Sequence, residues 1–99
     1  MRYIRLSEFC ESCGIDSQTV RLLVEEGLVE VKHSLEDEEL LSESEADRLR
    51  VGSLLLRDLD VNLAGVEVAL HLRDELLATQ AQFDQILSAL VEELRRRVG

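Results

Sequence analysis

The chain has 99 residues, no proline, 3% aromatic and 45% apolar content, and a formal net charge of −10. That is enough apolar material for one modest core and too much for a disordered tail; the charge repels nucleic acid and anionic membrane and attracts a basic partner. Two cysteines cannot build a disulfide framework, residues 1–10 lack the apolar stretch of a signal peptide, and no run is long enough to span a bilayer, so a soluble cytoplasmic protein is expected.

Tyr3-Ile4-Arg5-Leu6 reads as a short extended entry. Ser7 offers an N-cap and Gly14 a stop, which predicts a short helix over Glu8–Cys13. Asp16 or Ser17 caps a second helix that runs to about Glu26 and ends at Gly27. Two short helices joined by a few residues with a Gly and a cap make a helix-turn-helix. Leu28-Val29-Glu30-Val31 has the β-branched character of a short strand, and Lys32 to Glu39 lacks helical period, as in a hairpin or wing. Ser42-Glu43-Ser44-Glu45 is a capping-box pattern; it opens a third helix from Glu43 to about Leu59, with Leu49, Leu55, Leu56 and Leu59 as buried candidates. Asp60-Val61-Asn62 breaks it, and Asn62 caps a fourth helix that meets no breaker between Gly65 and about Arg97.

Such a helix is roughly 50 Å long, more than one small globule needs. Leu63, Val66, Leu70 and Leu77 lie along one side, where a head can cover them. Leu72, Leu76, Phe83, Ile86, Leu87, Leu90 and Leu94 lie along another and run past any surface one subunit supplies. A long apolar stripe of that kind requires a partner helix, and a second copy of the chain is the simplest one. Arg95, Arg96 and Arg97 sit where cations complement a helix C-terminus.

Charge is uneven: residues 1–42 hold four basic and ten acidic residues, and residues 43–99 hold seven and eleven. The acidic run Glu36–Glu39 is either a solvated loop or a contact surface. Of Leu22 and Leu23, one is expected in the core; the other, if exposed amid charge, is an apolar anchor. Cys10-Glu11-Ser12-Cys13 is a CxxC, but only His33 and His71 remain as soft ligands and no βαβ context surrounds it. Both thiols are therefore expected to face the head's core as small hydrophobes. No nucleophile elbow, phosphate loop or HExxH occurs, so no catalytic, metal-binding or cofactor-binding residue is expected and the chain is read as a non-enzyme.

The head, LSEFCESCGIDSQTVRLLVEEGLVE, followed by SESEADRLRVGSLLLRDLDVNLAGVEVALHL, resembles the MerR-type winged helix over nearly the whole chain. DSQTVRLLVEEGLV (16–29) corresponds to that head's second helix and exit. Within the superfamily, LRDLDVNLAGVEVALHL (56–72) and the early EFC are similar to the CbpM group, modulators of the DnaJ-like co-chaperone CbpA. The resemblance implies a mainly α fold, with a MerR-like winged helix-turn-helix head (1–60) and a long C-terminal dimerisation helix (61–99) whose first half packs on the head. MerR regulators bind DNA through a second helix rich in Arg and Tyr. Here Gln18, Leu22, Leu23 and Glu25 stand where Arg, Tyr, Tyr and Arg are usual, and only Arg21 is kept. The wing carries carboxylates, so the DNA-contact residues do not carry over and no nucleic acid or membrane partner is expected.

A CbpM-like chain is expected instead to bind the J-domain of its co-chaperone and block its encounter with Hsp70. J-domains present a basic helix, which an acidic competitor complements. The expected contact residues are Arg21, Leu22, Glu25, Glu26, Glu30, Glu36, Asp37, Glu38 and Glu39. The expected homodimer interface is Leu72, Leu76, Phe83, Ile86, Leu87, Leu90 and Leu94. The alternative is a DNA-binding MerR-type regulator, since VNLAGVEVAL also resembles heat-shock repressors of that superfamily.

Overall fold

A computed structural model describes residues 2–98; Met1 and Gly99, the outer ends of the two expected segments, lie outside them. Strand β1 (Tyr3–Arg5) leads into α1 (Leu6–Cys13), then α2 (Ser17–Glu25), β2 (Lys32–His33), β3 (Glu39–Ser42), α3 (Glu43–Ser53), one π-helical turn (Leu54–Asp58) and α4 (Leu63–Val98). The strands form an antiparallel sheet in the order β1-β3-β2, with Ile4 opposite Leu41 and His33 opposite Glu39. The β2–β3 hairpin is the wing.

The core gathers one or two apolar residues from each layer. Leu23 of α2, Leu41 of β3, Leu49 of α3, and Val66 and Leu70 of α4 are fully buried. Leu6, Leu28, Val29 and Ala46 close it. Gly52 lets α3 approach both neighbours, since a Cβ there would lie 3.1 Å from Leu23 Cδ1 and 3.8 Å from Leu70 Cδ1.

Caps fix the helix starts. Ser42 Oγ accepts the Glu45 N–H at 3.1 Å, and Asn62 Oδ1 accepts the Gly65 N–H at 2.8 Å. Only half of the capping box forms, because the Glu45 carboxylate accepts the Glu30 N–H at 2.7 Å instead of reaching back to Ser42. The wing turns without glycine: Ser34 Oγ accepts the N–H groups of Glu36 and Glu38, and Asp37 takes φ 62°.

Several expectations from sequence are corrected. Helix α1 begins at Leu6 with Arg5 before it, so Ser7 lies inside the helix and caps nothing. Leu28–Val31 is not a strand: the N–H groups of Leu28 and Val29 both bond to Leu23 O, which turns this stretch inward as buried coil before β2. The third helix widens at Leu54 into the π turn, where the Leu59 N–H bonds to Leu54 O and the Val61 N–H to Leu55 O. That extra residue per turn leaves Leu55 and Leu56 half-buried and rotates Leu59 out to solvent, 60% exposed. On α4, Leu63, Val66 and Leu70 meet the head as expected, but Leu77 lies one turn beyond its edge and is 45% exposed.

Two guanidinium groups bind α3 to α4. Arg48 donates to Asp74 on α4 and, at 2.9 Å, to the Leu28 carbonyl left open beyond α2. Arg73 on α4 pairs with Asp47.

Candidate functional site

The second helix is anchored at its start. Asp16 Oδ1 accepts the Thr19 N–H at 2.7 Å, its Oδ2 accepts from Arg57 of the π turn, and Arg57 Nε donates to Thr19 Oγ1 at 2.6 Å. Hydrogen bonds from Thr19, joined by the Arg57 guanidinium, lower the Asp16 carboxyl to about 2. Thr19 is itself buried, and its hydroxyl is satisfied by this contact. The loop at Gly14–Ile15, with Gly14 at φ 69°, and this clamp set which faces of α2 remain free.

One face lines a groove of about 570 Å³ between α1, α2 and β3. Its floor is aliphatic: Leu6 and Cys10 one turn apart on α1, Ile15 in the turn, and Val20 and Val24 one turn apart on α2. Arg21, Glu25 and Glu39 stand along its edge, and Ser7 and Glu39 continue it into a depression bordered by Arg5, Asp37 and Glu38. Glu38 pairs with Arg5 at 3.1 Å, whereas Arg21, Glu25 and Asp37 have no ion-pair partner among the described residues.

The expected contact residues divide on this geometry. Arg21, Glu25, Asp37, Glu38 and Glu39 share the groove and its extension. Leu22 points away, half-buried in a separate hollow with Leu56 and Arg57, while Leu23 is core. Glu26 is exposed at the end of α2. Glu30 is engaged locally, its carboxylate 3.0 Å from Lys32 Nζ, which raises the lysine's pKa. Glu36 is exposed at the wing tip beside Leu35, which is fully exposed. The aliphatic floor was absent from the expected set. Its signal was the i, i+4 pairs Leu6/Cys10 and Val20/Val24, which meet only once the turn at Gly14 folds α1 against α2.

Of the two thiols, Cys10 packs against the core as expected and Cys13 does not. Cys10 is half-buried in the groove and Cys13 is exposed, because α1 ends at Cys13, past the cover of the sheet. Burial first, then the nearby Cys13 and Glu39, raises the Cys10 thiol above its ordinary pKa. Among the described residues no group of three or more His, Cys, Asp or Glu is placed to hold a metal ion.

The other candidate surface is the outer half of α4. Leu72, Leu76, Phe83, Ile86, Leu87, Leu90 and Leu94 are each 44–61% exposed, with Val68, Val91 and Val98 beside them. Every described residue from Asp74 onward is exposed. Among the described residues no helix is long and apolar enough to cross a membrane.

A family model described as MerR HTH family regulatory protein matches residues 4–88. The chain belongs to this MerR family. The match spans the head from Ile4 and nearly three-quarters of α4, so α1 and α2 are the family's helix-turn-helix and the β2–β3 hairpin its wing. Beyond the match lie Leu90, Leu94 and the three arginines of the last turn. No curated protein and no solved structure matches this MerR-family chain at a significant level.

Proposed function

We propose that this MerR-family chain is a cytoplasmic protein-binding modulator that needs no cofactor, binds the J-domain of a DnaJ-like co-chaperone and keeps that J-domain from stimulating Hsp70. The observation that carries this reading is the charge on α2 and the wing. The face that meets phosphates in DNA-binding relatives here offers Arg21 and Arg5, the latter paired with Glu38, against the further carboxylates Glu25, Glu39 and Asp37. Carboxylates repel a phosphate backbone and favour a basic protein surface. The likeness of residues 56–72 to the CbpM group names that surface. The chain acts as a homodimer joined through the apolar face of α4, which has no cover within one copy.

Titration of the full chain into the J-domain of a DnaJ-like co-chaperone, followed by calorimetry, tests the reading. Saturable binding that weakens as salt rises is expected, together with loss of J-domain-stimulated Hsp70 ATPase. No binding at low salt removes it.

The family description, a regulatory helix-turn-helix protein, favours a second reading as a DNA-binding regulator. A gel shift with duplex DNA at low salt separates the two. Sequence-selective retention that survives physiological salt decides for DNA, and none decides against it.

A further inference from the structure

We propose that the groove between α1 and α2 is a docking site for a basic amphipathic helix of the partner, with Glu25 and Glu39 facing its cations and Arg21 facing a carboxylate. This deepens the J-domain reading and rests on it for the partner's name, but the groove itself is argued from its own chemistry. Its volume, about 570 Å³, matches pockets that accept several side chains, and its floor of Leu6, Cys10, Ile15, Val20 and Val24 is aliphatic. A furrow between two packed helices takes side chains spaced at i, i+3 or i+4 and i+7 along a third helix, rather than an extended strand.

The occupant's charge follows from the edge. Among the described residues Glu25, which is exposed, has no ion-pair partner, and Glu39 has only His33, 3.9 Å away. The groove runs on past Ser7 to Asp37 and to Glu38, which Arg5 partly neutralises, so Glu25, Glu39 and Asp37 are the carboxylates one flank of the docked helix meets. Arg21, at the α2 end of this edge, has no ion-pair partner among the described residues, whereas Arg5 at the other end is held by Glu38 and Glu8, so Arg21 is the cation open to a partner carboxylate and sets the direction of the helix.

The full chain carrying Cys13→Ser leaves Cys10, on the groove floor, as the one thiol that a maleimide can report. Two probes are used: the J-domain, and a synthetic helical peptide with leucines at i, i+4 and i+7 and lysines on one flank. Each is expected to slow Cys10 alkylation about tenfold, and the two are expected to compete. Glu25→Lys with Glu39→Lys is expected to weaken both about tenfold. Ser7→Trp, an exposed change that fills the groove without touching the core, is expected to block both. Leu22→Ala, on the opposite face, is expected to change neither. If the J-domain binds but leaves Cys10 alkylation and the Ser7→Trp affinity unchanged, the groove proposal is overturned while the J-domain reading stands. If the peptide protects Cys10 and the J-domain does not bind, the groove stands and the J-domain reading falls. If neither probe protects Cys10, the groove proposal is overturned.

Discussion

Single side chains decide how α2 is held. Asp16 sits at about 2 in the folded chain against an ordinary 3.8. A carboxyl depressed by folding adds stability that is complete above its ordinary pKa and is lost as pH falls toward the folded one. Asp16→Asn keeps a capping side chain but removes the charge. Its stability by urea unfolding is therefore expected to lie below wild type above about pH 4 and to converge with it as pH approaches about 2. Thr19→Val removes the acceptor of Arg57 Nε and is expected to cost about 1 kcal/mol, read from the urea midpoint. At Gly52 two effects oppose. Alanine favours the helix by about 1 kcal/mol, but its Cβ would press on Leu23, which is fully buried and has nowhere to turn. Gly52→Ala is expected to destabilise by about 1 kcal/mol net, and Gly52→Val to prevent folding. The caps Asp16, Ser42 and Asn62 were legible from sequence because each depends only on the next three residues. The Glu45–Glu30 contact was not, since it joins residues fifteen apart through tertiary structure.

At the scale of elements, the long helix was the plainest feature of the sequence and the π turn the least visible. Nothing in Leu54-Leu55-Leu56-Arg57-Asp58 marks a widened turn; the docking of Arg57 on Asp16 and Thr19 accompanies it. In the proposed homodimer, the composition of the outer half of α4 constrains how two copies pair. The apolar positions from Val68 to Val98 centre on Phe83. Antiparallel pairing about Phe83 sets Arg95, Arg96 and Arg97 opposite His71, Leu70 and Ala69 of the second copy, about one turn from Glu67, Asp74 and Glu75, whereas parallel pairing stacks six arginines together. In a background with Cys10 and Cys13 replaced by serine, Leu72→Cys and Leu94→Cys chains are expected to cross-link to each other on mild oxidation and neither to itself. Self-linked Leu94→Cys chains would show the parallel arrangement. Phe83→Glu is expected to leave monomers in sedimentation and to lower helicity by circular dichroism, because most helical stability comes from packing an apolar face, which a monomer leaves uncovered.

The whole molecule is elongated. Its radius of gyration is 17.9 Å and its longest extent 58 Å, against about 13 Å for a compact chain of this length. The excess is the uncovered rod, so the mass in solution is expected to be twice 11.2 kDa by light scattering, and a single 11.2 kDa species at micromolar concentration would refute the pairing. Architecture was legible because helix starts, the glycine stops and the α4 stripes are written locally. The groove was not, because its floor comes from two helices and a turn that meet only after folding, and the carboxylates alone did not reveal that Leu22 faces elsewhere. Head and rod are tied by two crossed ion pairs. Arg48 and Arg73 reach across the α3–α4 contact in opposite senses, each held by a carboxylate on the other helix. Torsion applied at the far tip of the rod is thus expected to reach the head as rotation instead of being absorbed at a joint.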